Sequence, residues 1–466
     1  MSVEWFIKMD GGLGIGGLNI SQHEVASSNF DVFVPVEVDT SIHSTSRHIA
    51  RPISASTSQA PRKFHIPPDP DKWTNADSLR LHGKVRINAK NGEDRADLPA
   101  GAEVSVVNNF YQSLWGGVNI KINGADLSDP SSKWYAYKSY LEDLLSYSPS
   151  TKDNRLKSNC YYKDSAGVFD VIGILNNAKN ATATQSTNDG YTARKEFFKL
   201  SRWKYFCINL HSDITTLRKY IPPNVGLEIE FNRNSDDFSL MTPHPSGTYS
   251  IEIENTVLTV DRYTPSPSVQ EYYFKKMASH KKAWLPIDRS LIKTHTVQPG
   301  TSDLSCYNVI RGQQLPDQII IGLLTEKAHR GEANLNPFNF QHFNLAEASI
   351  LVNGVHEPRE PHKVDIDAGD YISLYSDFLE NTGIGVDDRD FGVSMNDYIG
   401  GSFLIAFDRT RDKCNRFHRH QADSGTIDVN IRLKSNITET VVVLIYATYS
   451  GDLVVDDFGN VSMNNF

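Results

Sequence analysis

Two short stretches decide how this chain is read: Ile120-Lys121-Ile122-Asn123-Gly124 and Ile350-Leu351-Val352-Asn353-Gly354. Each is a strand-like run that ends in Asn-Gly, the dipeptide that best accommodates a tight hairpin turn. Asn109-Phe110 precedes the first and Asn339-Phe340 the second, and all these positions share one offset of 230 residues. A proline-bearing loop follows each turn, with Pro130 in one copy and Pro358 and Pro361 in the other. Apolar residues then recur at i, i+4, i+7 and i+8, as one face of a helix requires. They are Tyr137, Leu141, Leu144 and Leu145 in the first copy, and Tyr371, Tyr375, Phe378 and Leu379 in the second, after a four-residue insertion.

Further along, the run from Gly226 to Arg233 matches the run from Gly425 to Arg432. Each is followed by a polar turn and a long strand, at Tyr249–Val260 and Thr440–Tyr449. Asn-Gly and alternating strands are common, so chance competes with duplication. One shared register together with a matching helix favours duplication.

The fold class expected is therefore all-β: two tandem jelly-roll β-sandwiches with a few short helices in loops. Pro267 followed by Ser268-Val269-Gln270-Glu271 reads as a capping box that opens a helix to about Lys282, with Pro286 beyond its end. The expected organisation is a Gly-rich N-terminal arm (1–27), a first jelly roll (28–267), a linker helix (268–286), a second jelly roll (287–455) and a C-terminal tail (456–466). Alternation of Phe30, Val32, Val34 and Val36 marks an early strand at Asn29–Glu37. Residues 40–78, rich in Ser, Thr, Pro and Arg, read as an extended arm or loop.

Composition agrees with this class. Of 466 residues, 39% are hydrophobic and 10% aromatic, enough to build a large strand-rich core and to exclude general disorder. Lys and Arg number 47 against 56 Asp and Glu, a net charge of −9, which argues against a protein coated in nucleic acid. The four cysteines, Cys160, Cys207, Cys306 and Cys414, have neither zinc-knuckle nor CxxC spacing. Met1 to Asp10 shows no signal-peptide pattern. The longest apolar runs, Ile319–Leu324 and Val441–Ala447, fall far short of the roughly 20 residues a membrane-spanning helix needs, so no membrane span is expected.

Several stretches resemble the double jelly-roll major capsid proteins of Polinton/Maverick elements and adintoviruses. In the second half these are Gly312-Gln313-Gln314-Leu315-Pro316 before an apolar strand, Asn336-Pro337-Phe338-Asn339-Phe340 with His342-Phe343-Asn344-Leu345, and Asp397-Tyr398 with Gly400 and Leu404–Asp408. Tyr446-Ala447 falls in the final long strand. In the first half, Leu144-Leu145-Ser146-Tyr147 and Tyr162-Lys163-Asp164-Ser165-Ala166-Gly167 fit, with Ser148 in place of a glycine and Tyr161 in place of a tryptophan. The likeness covers about residues 75 to 460.

The resemblance implies a structural virion protein with no catalytic residues and no cofactor. It would form homotrimers of pseudo-hexagonal outline, because three chains supply six similar sandwiches. These would tile an icosahedral shell around double-stranded DNA, beside neighbouring trimers and penton or minor capsid proteins, after assembly inside the host cell. Two other readings compete: a glycan- or receptor-binding double β-sandwich, and a bicupin-like metalloenzyme.

The sharper motifs weigh little against this. Gly12-Leu13-Gly14-Ile15-Gly16-Gly17 contains GxGxxG but lacks the following helix a dinucleotide site needs, so a flexible arm is the better reading. Cys414, His418, His420 and Asp423 bring metal-ligating types together, yet Arg416 and Arg419 would repel a cation and the expected spacing is absent. The clusters Asp365-Ile366-Asp367-Ala368-Gly369-Asp370 and Asp387-Asp388-Arg389-Asp390 lack EF-hand spacing, and Asp370 is expected to cap a helix at Tyr371. Lys275, Lys276, Lys281 and Lys282, with His280, follow Tyr272, Tyr273 and Phe274. They read either as a solvated helix end or as a weak, salt-sensitive contact with genomic DNA or core proteins, a role for which Arg47, Arg51, Arg62 and Lys63 compete. No metal or cofactor site is expected. The sequons at Asn19, Asn180, Asn436 and Asn460 are expected to stay unmodified.

Overall fold

A computed structural model describes residues 38–53, 60–91, 94–127, 134–172, 187–384, 389–413 and 421–464. The strand expected at Asn29–Glu37, the GxGxxG segment, Cys414, His418, His420, Asp387 and Asp388 lie outside them. The chain divides into two units, Met1–Ser41 and Ile42–Phe466. In the first, the Ser41 N–H donates to Asp39 Oδ1 at 2.8 Å. Every element below belongs to the second.

The first half contains β1 (Ile42–Ala50), β2 (Arg62–Ile66), β3 (Trp73–Asn91), β4 (Asp94–Ala96), β5 (Ser105–Val106), β6 (Trp115–Ile122), β7 (Ala125–Asp126), β8 (Lys204–Asn209), β9 (Leu227–Arg233), β10 (Leu240–Met241) and β11 (Tyr249–Pro265). The second contains β12 (Ala283–Val297), β13 (Cys306–Gln314), β14 (Gln318–Thr325), β15 (Leu345–Val352), β16 (Val355–Lys363), β17 (Leu404–Asp408), β18 (Ser424–Leu433), β19 (Val441–Val455) and β20 (Val461–Asn464). Short helices fill the connections: α1 (Phe110–Ser113), α2 (Tyr135–Ser146), α3 (Pro149–Asn154), α4 (Asp189–Phe197), α5 (Asp236–Ser239), α6 (Pro267–Ala278), α7 (Glu326–Arg330), α8 (Ile372–Asn381) and α9 (Met395–Ile399).

In the first half one sheet runs β1-β11-β3, with β8 and β4 also on β3, and the facing sheet runs β2-β9-β6-β7. In the second half the sheets run β12-β19-β14-β17, with β20 on β19, and β13-β18-β15-β16. With the short β4, β5, β10 and β20 set aside, both halves follow one rule. Strands one, eight, three and six of the half form one sheet, and two, seven, four and five form the other. That is the jelly-roll order, present twice. All the pairs are antiparallel.

The repeated turns carry the expected geometry: Asn123 and Gly124 at φ 46° and 82°, Asn353 and Gly354 at 51° and 80°. Two consecutive left-handed residues make the hairpin twist that Asn-Gly favours. The later repeat needs correction. Ile122 pairs with Leu227 and Val352 with Ile427, so the counterpart of Leu227 is Ile427, not Thr426. The match of Gly226 to Gly425 is one residue out of register, and in a strand such a slip exchanges core and solvent faces. The two glycines answer different demands. A Cβ on Gly425 would collide with the Asn353 amide, while one on Gly226 would crowd Pro68.

The stretch 40–78, expected as arm or loop, holds β1, β2 and the start of β3. β1 is an edge strand whose residues are nearly all exposed, so no apolar alternation announces it. β2 does alternate, but one of its buried positions is Arg62, which breaks the pattern. That guanidinium donates to the Ile253 carbonyl (3.1 Å) and lies 5.6 Å from the centre of the Trp115 ring. Burial lowers its pKa to about 10.

The linker helix α6 starts earlier than expected. Ser266 is its N-cap residue and Pro267 occupies the first turn, so Ser268 lies inside the helix and no side-chain capping bond forms. The helix ends at Ala278, and residues 283–286 already belong to β12. In the tail, Val461–Asn464 adds a strand to β19. Asp370 does not cap α8: Tyr371 is the N-cap residue, and the Asp370 backbone pairs with Asp365.

The two cores interpenetrate. Leu285, Ile287, Leu453 and Val455 from the second half join the first core. Tyr137, Tyr140, Leu141 and Leu144 of α2 join the second, beside Ile319–Leu324. β14 is buried at every position, which explains its unbroken apolar run.

Candidate functional site: the seam between the sandwiches

The candidate site is the seam where α2, the segment 160–170 and α4 of the first half meet the second half. Three of the stretches singled out from the sequence, around Tyr162–Gly167, Asn336–Phe340 and Asp397–Gly400, meet here. Asp164 accepts from Arg194 Nη2 at 2.6 Å, and both side chains are fully buried. The same carboxylate accepts from Asn188 Nδ2 (2.9 Å) and, across the seam, from Asn336 Nδ2 (3.0 Å). Arg194 also donates to the carbonyls of Val106 (2.8 Å) and Tyr162 (2.5 Å). Asp170 accepts from the Asn336 N–H (2.6 Å) and Asn339 Nδ2 (2.5 Å). The Gly167 N–H donates to the Gly400 carbonyl (2.7 Å), and Lys163 pairs with Asp397 (2.6 Å). A buried ion pair whose remaining lone pairs are satisfied is the form in which such a pair is tolerated.

Apolar contacts close the seam. Tyr140 stacks on Phe338 with centroids 4.2 Å apart and planes 5° from parallel, and Tyr137 meets Phe338 edge-on at 5.7 Å. The expected helix face is thus the docking face of α2. Tyr161 stacks on Tyr140 with centroids 6.5 Å apart and planes 26° from parallel.

A second charged group sits deeper along α2. His211 lies between Glu142 (Nδ1 to Oε2, 2.7 Å) and Asp143 (Nε2 to Oδ1, 3.2 Å). Tyr446 of β19 donates to Glu142 Oε1 at 3.0 Å. Lys138 pairs with Asp213, to which Ser290 of β12 also donates (3.1 Å). Burial alone would lower the His211 pKa, but Asp143 and Glu142 overcome it and raise it to about 10. Burial would likewise raise Glu142, but Lys138, His211 and Tyr446 bring it down to about 2. The imidazolium and the carboxylate are therefore charged together across the neutral range. Beside them a cavity of about 640 Å³ opens between α2, β12, β14, residues 382–384 and residues 389–391. Its lining carries both signs of charge, including Lys138, Glu142, Arg289 and Asp390.

The residues singled out from sequence fall elsewhere. Lys275 and Lys276 lie on α6, which buries no side chain, and Lys281 and Lys282 follow its end. Asp365 and Asp367 pair with Lys434, and Asp423 with Arg411. Asp390 Oδ1 accepts from the Gly392 N–H (2.6 Å). Of the early-arm cations, Arg47 pairs with Asp261, Lys63 with Glu230, and Arg62 is buried in β2. Among the described residues no group of three or more His, Cys, Asp or Glu is placed to hold a metal ion, and no helix is long and apolar enough to cross a membrane. Sequence reading did not single out Arg194, Asn188, His211 or Glu142. Asp164 and Asn336 lay inside quoted stretches without a role. Glu142 sits on the recognised helix, but its partner His211 lies 69 residues away with no local signal.

No family model matches the chain. An uncharacterized protein of Caenorhabditis elegans, F54H12.2, is 19% identical over 279 residues, which cover 59% of this chain and 61% of that protein. The match thus spans about three fifths of the relative's length. Among solved structures, the Sputnik virophage structure matches with a TM-score of 0.58 at 13% identity, covering 96% of this chain and 93% of that one. The mavirus major capsid protein matches with a TM-score of 0.53 at 10% identity, covering 98% and 97%. The Faustovirus major capsid protein gives 0.51 at 9% identity, covering 90% and 92%. The fold of this chain is the double jelly roll that these structures share.

Proposed function

We propose that this chain is a major capsid protein of the Polinton/Maverick, adintovirus-like kind: a non-enzymatic shell subunit of a virion. Three copies associate as a homotrimer of pseudo-hexagonal outline. Such trimers, with neighbouring trimers and penton or minor capsid proteins, build an icosahedral shell around double-stranded DNA inside the host cell. The observation that carries this reading is the twice-repeated strand order joined by a buried, hydrogen-bonded seam. Two like sandwiches held in a fixed relation give three chains six similar edges, and six similar edges tile a plane. A flexible tether would not hold that outline. The relative in an animal agrees with an element carried in a host genome. In this reading β1–β11 and β12–β20 build the two shell-forming sandwiches, and α6 links them.

Expression of the full chain followed by light scattering and negative-stain microscopy tests the proposal. Trimers that pack into sheets or closed particles are expected. A protein that stays monomeric under every assembly condition contradicts it.

A further inference from the structure

We infer that the end of the molecule bearing α6 docks onto an anionic lipid bilayer. The inference rests on the capsid reading, in which one end of each sandwich faces inward. The fold gathers an aromatic and cationic surface at this end. Tyr272 (64% exposed), Phe274 (41%), Trp284 (46%) and Phe458 (83%) are large rings in contact with water. Tyr272 and Phe274 flank Tyr273 on α6, while Trp284 lies on β12 and Phe458 in the turn between β19 and β20. Tyr273 anchors α6 edge-on against Trp73 with centroids 4.9 Å apart, which holds the helix on the sandwich without burying it. Lys276 Nζ lies 5.1 Å from the centre of the Tyr272 ring. His280 is hydrogen-bonded to Asp457, the neighbour of Phe458. Trp284 pairs with Val454 on the strand that leads to that turn. The Asn123-Gly124 hairpin lies at the same end, where Asn123 Nδ2 donates to the Gly459 carbonyl at 2.8 Å.

The charges are arranged to suit an anionic surface. Among the described residues, Lys275, Lys276, Lys281 and Lys282 form no ion pair. Of the acids at this end, Asp457 holds His280, and Asp456 accepts from the Phe458 and Asn460 N–H groups and from the Asn460 side chain, with Lys282 also lowering its pKa; Glu271 on α6 is exposed. The whole chain carries −9, so attraction to an anion is local to such a patch rather than general. The aromatics decide which anion. Duplex DNA is gripped by cations and hydrogen-bond donors on its phosphates, and purely apolar rings such as Phe274 and Phe458 add little to that grip. At a bilayer surface, rings settle at headgroup level while lysine stems extend to the phosphates, so both residue types contribute.

Flotation of the full-length chain with phosphatidylcholine vesicles, with and without phosphatidylserine, tests this, beside a duplex-DNA binding assay. Comigration only with the phosphatidylserine vesicles, reduced by added salt, is expected. Lys275→Gln/Lys276→Gln should lower vesicle binding about tenfold or more. Tyr272→Ser/Phe458→Ser should abolish flotation with an unchanged melting temperature, since these rings are 64% and 83% exposed. Absence of flotation overturns the inference. So does duplex-DNA binding that survives the aromatic substitution while vesicles are ignored. Assembly is read separately: particles that form yet ignore vesicles refute only this inference, whereas monomers that bind vesicles refute the capsid reading and leave the surface standing.

Discussion

Replacing Asp164 with alanine removes the carboxylate on which Arg194, Asn188 and Asn336 converge. Arg194 keeps two carbonyl partners but loses the counter-charge of Asp164 while remaining fully buried. Breaking a buried pair from one side costs about 3–5 kcal/mol, and the Asn336 amide, left with the longer bond to the Phe169 carbonyl (3.4 Å), adds about 1 kcal/mol. Unfolding entropy near 2.1 cal/mol/K per residue gives the unit Ile42–Phe466 about 0.9 kcal/mol/K, so the melting temperature should fall by about 4–7 °C. Scanning calorimetry of the purified protein measures this. The companion variants Arg194→Ala and Asp164→Ala/Arg194→Ala complete a double-mutant cycle, in which the double loss should be smaller than the sum of the single losses. If Asp164→Ala melts within about 1 °C of the parent, or if the two losses simply add, the buried pair at the seam is not coupled as argued.

The His211 cluster predicts a pH signature. Its histidine pKa is raised from 6.5 to about 10, so that contribution is complete below about 6.5 and is lost as pH rises toward 10. Glu142 is lowered from 4.5 to about 2, so its contribution is present above about 4.5 and is lost as pH falls toward 2. The melting-temperature gap between the parent and His211→Leu should therefore be widest near pH 4.5–6.5 and narrow toward pH 10; a gap that widens with alkali contradicts the assignment. The Tyr140–Phe338 stack should show a coupling of about 0.5–1.5 kcal/mol in a Tyr140→Leu/Phe338→Leu cycle measured by denaturant unfolding. Gly354→Val, at φ 80°, should cost about 1–3 kcal/mol in the same assay. Gly101→Ala, which meets open space, should be neutral, and equal effects at the two sites would remove the turn argument.

How much was legible in the sequence depended on where each signal came from. The Asn-Gly turns and the apolar face of α2 were readable because backbone geometry and burial each impose a local period. β1 was unreadable because an exposed edge strand has no buried face to alternate, and β2 was hidden by a buried arginine. The one-residue slip between Gly226 and Gly425 arose because a glycine records any close approach, not one particular register. At the seam, the stretches around Asp164 and Asn336 were picked out as words before their meaning was visible. Their meaning is contact with each other, 172 residues apart in the chain. Arg194 and His211 carried no local pattern, since their partners are supplied only by the tertiary fold.

The central claim is that the doubled jelly roll exists to give three chains six like edges. Sedimentation equilibrium of the full-length chain, with particle imaging of the same sample, tests it most directly. The prediction is a species of three times the chain mass with a hexagonal outline in projection. A stable monomer or dimer at every concentration, with no hexagonal particles, would contradict it.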